Sequence, residues 1–254
     1  MAKFKSYTDK EKTKTMVNNV LVSGKLGDLI HSLWVCHHLF HSKGIKSNVF
    51  MTNEVEQFEY GLIPTYNELY DIVTKQEWCY QFNLWNGEHI DYNTTKFRQS
   101  PLLYRACWTE IMCQTFFQGE SPKLNAWIKI DCVPNERILI SRRFKNDMTN
   151  DVVRFYDELT NRKDTEVVFL GSLHDYNLFP FKDRIPHLIP VTIIDWLNEI
   201  SKSQLFVGNQ SSPLAMASAL NVKRIAELLP PQYPDGIHYR NEGHYYLNFL
   251  NYII

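Results

Sequence analysis

The order of secondary-structure signals in residues 16–51 is the feature that most restricts the fold of this chain. The run TMVNNVLVSG ends in apolar residues and a glycine, which is typical of a buried strand closing at Gly24. Apolar residues then recur at helical spacing from Leu26 to Phe40, and SKG at 42–44 supplies a glycine stop. SNVFMT follows as a second short strand. A strand, a glycine turn, a helix and a strand in this order predict a βαβ unit, and therefore a parallel sheet.

A second α/β series is predicted in the C-terminal half. Strands are expected at RILIS (137–141), EVVFLG (166–171), QLFVG (204–208) and KRIAELL, and helices at NDVVRFYDELTNR, TIIDWLNEISKS and PLAMASALN. The middle, 54–125, is aromatic and less periodic, with helices expected within GLIPTYNELYDIV and SPLLYRACWTEIMCQTFF. Its aromatic stretch QEWCYQFNLWNGEHIDY is interpreted as core and lid packing, with stacking surfaces for a sugar or a base as the alternative.

The proline-containing stretch GESPKLNAWIKIDCVPNE indicates a link between the two series. We therefore predict a compact α/β protein with two Rossmann-like domains that face each other across a cleft. The expected divisions are a flexible tail at 1–15, an N-terminal domain at 16–125 and a C-terminal domain at 126–254. In open α/β sheets ligands bind outside the carboxyl ends of the strands, so the residues at those ends are the candidates for function.

Composition argues against several classes of protein. With 27 basic and 28 acidic side chains the net charge is −1, so no general electrostatic attraction to nucleic acid or an anionic membrane is expected. No apolar run approaches the roughly 20 residues that span a bilayer, and the charged N-terminus does not have the pattern of a secretory signal. The five cysteines are odd in number and form no C-x-x-C pair, which favours a reducing, cytoplasmic location over a disulfide framework.

The turn after QLFVG has the pattern of an anion site. A strand stops at Gly208, a polar stretch follows, and Pro213 opens a helix rich in small residues; the polar stretch consists of Asn209, Gln210, Ser211 and Ser212. Ser212 is predicted as the N-cap, with Pro213 at the first helical position. Backbone N–H groups and the positive end of the helix dipole would then point out of the sheet edge. A well-capped helix without a ligand is the alternative.

The first glycine turn, GKLGDL, is not a P-loop, because Lys25 is followed by leucine and the spacing is wrong. Gly24 and Gly27 either allow substrate to approach the backbone closely or serve only the turn. Lys25 is a candidate for contact with phosphate or acceptor, or a solvated side chain. Asp28 falls in the first helical turn and shares a face with His31 and Ser32. It is either a general base or a charge that stabilises the helix start.

Together the two turns resemble the family 9 glycosyltransferases, the heptosyltransferase-like group. The resemblance rests on GKLGDLIHSL and on LFVGNQSSPLAMASALNVKRIAELLPP, and it covers residues 19–50 and about 137–231. It implies a GT-B architecture in which the N-terminal domain binds the acceptor and the C-terminal domain binds the donor nucleotide. It also implies transfer without a metal, and the chain indeed contains no Asp-x-Asp pair.

The resemblance also suggests roles for individual residues. Asp28 matches the proposed base of the family, and His31 would bind the acceptor, orient Asp28 or be merely structural. Arg142 and Arg143, at the end of RILIS, are candidates to stabilise a leaving diphosphate, with a surface arginine pair as the alternative. Glu227 stands where the family binds the ribose or base of the nucleotide.

The predicted function is metal-independent transfer of a sugar from a nucleotide-sugar co-substrate to an acceptor hydroxyl, with no further cofactor. The expected acceptor is a glycan, a small molecule or a modified nucleic-acid base. One alternative is a catalytically degenerate nucleotide-binding or scaffold protein, since Gln210 and Ala215 replace an acid and a histidine of the family. Zinc binding by His37, His38 and His41 is not expected, because no partner motif accompanies them. SLHDY (172–176) is expected to be a strand-end loop that lines the cleft, and no nucleophile-elbow motif supports triad chemistry there.

Overall fold

The computed structural model describes residues 16–54, 58–103, 108–121, 125–144, 148–227 and 244–246. Within these ranges the chain forms two sheets whose paired strands all run parallel, with helices around them. The predicted α/β class is confirmed. No helix in the described ranges is long and apolar enough to cross a membrane.

The first sheet has the strand order β3-β2-β1-β4. Its strands are β1 Val17–Val22, β2 Lys46–Met51, β3 Cys79–Leu84 and β4 Tyr92–Asn93. The helices of this half are α1 Leu26–Ser32, α2 Trp34–Lys43, α3 Leu62–Thr74 and α4 Trp108–Phe116. The predicted first helix is therefore divided in two at Leu33, and it ends at Gly44 as expected, because Gly44 adopts the left-handed conformation at φ 69°.

The second sheet has the strand order β10-β9-β8-β5-β6-β7. Its strands are β5 Ile138–Ser141, β6 Val167–Leu170, β7 His187–Leu188, β8 Leu205–Asn209, β9 Arg224–Glu227 and β10 His244–Tyr246. Its helices are α5 Asn150–Thr160, α6 Leu173–Leu178, α7 Ile193–Lys202 and α8 Ser212–Ala219. Counted from β5, this is the 3-2-1-4-5-6 order of the dinucleotide-binding fold, and its switch point lies between β5 and β8.

The segment SLHDY was predicted to be a loop, but it forms the beginning of α6. Ser172 caps this short helix by accepting a hydrogen bond from the backbone N–H of Asp175. Asp175 in turn accepts from the backbone N–H of Phe144, so α6 is tied to the segment that follows β5.

One apolar core runs through both halves of the chain. It contains Val20 from the first sheet and Leu139 from the second. Trp127, from the predicted link, is buried in the same core, and its indole N–H donates to the carbonyl of Ile30 at 2.8 Å. A Cβ at Gly27 of α1 would lie 3.6 Å from Cα of Ser212 in α8, so these two helices pack closely. The turns before α1 and α8 are therefore brought to one place.

Candidate functional site

A cavity of about 470 Å³ lies where the two halves meet. The β1–α1 turn, the region around the start of α3, the segment after β5 and the starts of α7 and α8 all contribute to it. The lining residues are Lys25, Leu26, Phe58, Glu59, Tyr60, Thr65, Glu68, Arg143, Pro190, Val191, Thr192, Ile193, Trp196 and Ser212. Three residues predicted from the sequence, Lys25, Arg143 and Ser212, are among them.

The start of α8 differs from the predicted arrangement. The N-cap is Ser211 and Ser212 is the first helical residue, so the predicted cap is displaced by one position. The hydroxyl of Ser211 donates to the carbonyl of Asn209 at 3.0 Å and does not cap the helix. Across the part of the chain that the structure describes, no side chain caps α8. Pro213 has no N–H, so the N–H groups of Ser212 and Leu214 are the ones that an anion could reach at this helix start.

Asn209 fixes the position of the neighbouring strand end. Its amide group accepts from the backbone N–H of Arg143 at 3.1 Å and donates to the carbonyl of Arg143 at 2.7 Å. Gly208 allows this approach, because a Cβ there would collide with the carbonyl oxygen of Ser141. The result is that the exposed side chain of Arg143 is held next to the start of α8. Gln210 is half-buried in the same turn.

Arg142 and Glu227 contact each other and are not among the described residues that line the cavity, so their predicted role in donor binding stays a prediction. Arg142 donates through Nε at 2.7 Å and through Nη2 at 2.8 Å to the two oxygens of Glu227. Their side chains are only 1% and 5% exposed. Tyr156 donates to the same carboxylate at 3.3 Å, and its own pKa is raised well above the ordinary value by burial and by the Glu227 charge. The two predicted donor ligands thus form a buried ion pair that joins the ends of β5 and β9.

Asp28 lies in the first turn of α1, as predicted, and is held there by an arginine that the sequence analysis missed. Arg98, in a short 3₁₀ helix at Thr94–Gln99, lies 2.5 Å from the carboxylate. Gly24 makes room for this pair: its φ is +109°, and a Cβ there would come within 3.0 Å of both side chains. Arg98 is 70 positions away in sequence, so no local pattern indicates the pairing. Asp28 is 27% exposed but is not among the cavity-lining residues.

His31 is not in contact with the cavity either. It is 4% exposed and stacks on Trp108, with 5.0 Å between ring centroids. Trp127 packs on it as well. The ring is therefore packed among aromatic side chains, and its predicted role toward Asp28 or an acceptor stays a prediction.

The start of α7, unlike that of α8, is occupied by carboxylates. Asp195 accepts from the backbone N–H groups of Val191 and Thr192, while the Thr192 hydroxyl accepts from the Asp195 N–H. The Thr192 side chain, followed by the backbone N–H groups of Thr192 and Val191, stabilises the Asp195 carboxylate and holds its pKa below the ordinary value. From the other half of the chain, Glu68 of α3 accepts from the N–H of Ile193 at 2.6 Å. Glu68 thus binds the first N–H group of α7, and Asp195 places a second negative charge at the same helix start.

No protein-family profile matches the sequence, and no curated protein matches it. Several solved structures, however, have a similar fold. Heptosyltransferase WaaC of Escherichia coli, with ADP-2-deoxy-2-fluoro heptose, superposes with a TM-score of 0.56 over 91% of this chain and 92% of that one, at 9% identity. The chain has the fold of the heptosyltransferases.

Two further solved structures support this likeness. A family 9 glycosyltransferase from Veillonella parvula gives a TM-score of 0.55 at 11% identity, over 90% of this chain and 86% of that one. The E. coli ADP-heptose lipopolysaccharide heptosyltransferase II gives 0.53 at 11% identity, over 90% and 92% of the two chains. The resemblance inferred from the two glycine turns is thus confirmed at the level of the heptosyltransferase fold.

Two of the three histidines of α2, His37 and His38, are buried, whereas His41 is exposed. His37 is 1% exposed, and its pKa is lowered to about 3 by burial, with smaller contributions from the neighbouring His41 and Lys129. His38 is equally buried and lies 3.2 Å from a carboxylate oxygen of Glu120. In the described ranges no group of three or more histidine, cysteine or acidic side chains is arranged to hold a metal ion.

Proposed function

We propose that this chain is a glycosyltransferase that binds the diphosphate of a nucleotide-sugar donor at the start of α8. The observation that carries the proposal is the N-terminus of α8, which lies at the cavity without a side-chain cap from any described residue. Arg143 and Lys25 line the same cavity and add positive charge. A helix N-terminus next to a guanidinium is well suited to a diphosphate, because both favour a bound anion.

The same groups supply the chemistry that transfer needs. Negative charge develops on the diphosphate as the glycosidic bond breaks, and fixed N–H donors with an arginine stabilise that charge. Asp28 is proposed as the base that takes a proton from the acceptor hydroxyl. Arg98 orients its carboxylate through the 2.5 Å contact. We propose that this arrangement works without a metal ion.

The identity of the donor is open to direct test. WaaC has been solved with ADP and with an ADP-heptose analogue. ADP-sugars are therefore the first donors to try with this chain. Among the described residues, the cavity lining contains two cationic and two carboxylate side chains, a balance that does not favour a nucleic-acid acceptor.

A catalytically degenerate nucleotide-binding protein is the second candidate. The observation in its favour is that Asp28 is absent from the cavity lining and already engages Arg98. Gln210 and Ala215 point the same way, and Ala215 is 2% exposed within α8. Both candidate functions require donor binding, but only the glycosyltransferase transfers the sugar.

Titration calorimetry with EDTA present tests the proposal. ADP-, UDP-, GDP- and dTDP-sugars are compared with a CMP-sugar, which has only one phosphate. We expect binding of at least one diphosphate sugar, and Arg143→Ala should weaken it about 10- to 100-fold, the effect of one charge-assisted hydrogen bond. Arg154→Ala is the matched control, since Arg154 is 80% exposed and pairs with Glu158 on the outer face of α5.

Two outcomes would contradict the proposal: no binding of any nucleotide sugar, or equal binding by Arg143→Ala and the wild type. Asp28→Asn then separates the two candidates. In a transferase this variant keeps donor affinity and loses turnover. If the wild type binds donor but releases no nucleotide with any acceptor tried, while Asp28→Asn binds equally well, the degenerate candidate is favoured.

A further inference from the structure

We propose, resting on the proposed function, that the acceptor is a neutral or amine-bearing sugar and not a phosphorylated or carboxylated one. The proposal follows from how charge and aromatic surface are divided within the cavity. One set of lining residues suits the anionic donor. The other set forms an acceptor wall, which we define as Glu59, Tyr60, Thr65, Glu68 and Trp196.

Both cationic side chains of the cavity belong to segments near the start of α8, where the donor is proposed to bind. Arg143 is fixed to the turn before α8 by Asn209. Lys25 immediately precedes α1, the helix that packs against α8 through Gly27 and Ser212. Both cations therefore belong to the elements that surround the uncapped helix start.

The carboxylates of the cavity belong to the acceptor wall. Glu59 is exposed just before α3, and Glu68 lies on α3 itself. Glu68 reaches the N–H of Ile193 at 2.6 Å, which places α3 against the start of α7. Because Glu68 and Asp195 already accept from this helix end, its dipole is compensated and offers little attraction to a second anion. A phosphate or carboxylate on the acceptor would meet the Glu59 and Glu68 charges directly.

The uncharged members of the acceptor wall suit a sugar. Tyr60 is 76% exposed and Trp196 is half-buried, so each presents ring surface on which the apolar face of a sugar can pack. Carboxylates accept hydrogen bonds from sugar hydroxyls or from an ammonium group. The Thr65 hydroxyl, which donates to the carbonyl of Gly61 at 2.8 Å, can accept a hydrogen bond from a sugar hydroxyl. An aminosugar gains attraction from the two carboxylates, a neutral sugar keeps the hydrogen bonds, and a uronic acid is repelled.

Three p-nitrophenyl glycosides, of glucosamine, glucose and glucuronic acid, provide the test. They share one aromatic group and differ chiefly in charge. Their dissociation constants are measured by saturation-transfer NMR titration of the full chain with ADP present. We expect the glucosaminide to bind at least as tightly as the glucoside, and the glucuronide to bind roughly tenfold more weakly. Glu59→Gln should reduce that gap to about threefold or less, whereas Glu158→Gln, on the outer face of α5, should leave it unchanged.

The proposal is overturned if the glucuronide binds as tightly as the glucoside, if Glu59→Gln leaves the gap intact, or if none of the three glycosides binds. ADP binding, measured in the same samples, reports on the donor site separately. If ADP does not bind but the glycosides bind in the expected order of affinity, the result counts against the proposed function alone. ADP binding with the reverse order would count against the acceptor class alone.

Discussion

Replacing Arg142 with methionine tests whether the Arg142–Glu227 pair is structural, as its burial indicates. The substitution removes two charge-assisted hydrogen bonds, at 2.7 and 2.8 Å, from a carboxylate that is 5% exposed. Tyr156, at 3.3 Å, remains as a partner. Stranding a buried charge in this way costs about 3–5 kcal/mol, because solvent cannot screen it. A loss of this size is a large fraction of the 5–15 kcal/mol typical of a folded domain, and it lowers the midpoint temperature by roughly 10 °C.

Urea unfolding followed by circular dichroism measures this loss for the single variant. The double variant Arg142→Met with Glu227→Leu removes both charges and should recover much of the stability, since replacing a whole buried pair by apolar side chains is often close to neutral. Nucleotide affinity, measured well below the midpoint temperature, should stay within about twofold of wild type. A structural role for the pair is contradicted if the single variant loses under about 1 kcal/mol of stability, or if it loses nucleotide affinity while its stability is unchanged.

Three smaller changes test other parts of the structure. Gly208→Ala should destabilise the chain by about 3 kcal/mol or more in urea unfolding, because its Cβ would overlap the carbonyl of Ser141; a loss below about 1 kcal/mol would contradict this packing. Gly24→Ala should cost about 1–3 kcal/mol, since φ is +109°, and wild-type stability would show that the turn relaxes. The pKa of His37 is about 3 in the folded chain, below the ordinary 6.5. Between these pH values only the unfolded chain takes up the proton. The free energy of unfolding therefore falls as the pH drops below 6.5. His37→Leu should reduce the dependence of the free energy of unfolding on pH by up to about 1.4 kcal/mol per pH unit. The control His89→Leu, at an 86% exposed site, should leave it unchanged. The same pH dependence in His37→Leu and the wild type would contradict a lowered pKa of His37.

Local patterns in the sequence were enough for most of the second sheet. The buried strands β5, β6, β8 and β9 are short apolar runs, and two of them end at or near the glycines that the pattern identified, Gly171 and Gly208. β3 was missed because exposed Tyr80 and Gln81 interrupt its apolar residues inside an aromatic stretch. β4, with two residues, is too short for any periodicity. Strand prediction thus succeeded for apolar runs of four or more residues and failed for the partly polar β3 and for the two-residue strands β4 and β7.

The candidate site was only partly predictable, because its decisive contacts join distant parts of the chain. RILISRRF shows two adjacent arginines, and nothing in it reveals that Arg142 meets Glu227, 85 positions later, while Arg143 lines the cavity. Arg98 reaches Asp28 in the same long-range way. The acceptor wall depends on how α3 docks on α7, which no local motif encodes. Local sequence patterns show where the strands end, whereas the packing of the two halves determines which side chains meet at those ends.

A crystal structure of the chain soaked with ADP and EDTA tests most directly whether the start of α8 binds the donor diphosphate. We expect density for the two phosphates at the start of α8, within hydrogen-bond distance of the Ser212 N–H and the Arg143 guanidinium. Phosphate density at the start of α7, or ADP bound away from the cavity, would contradict it.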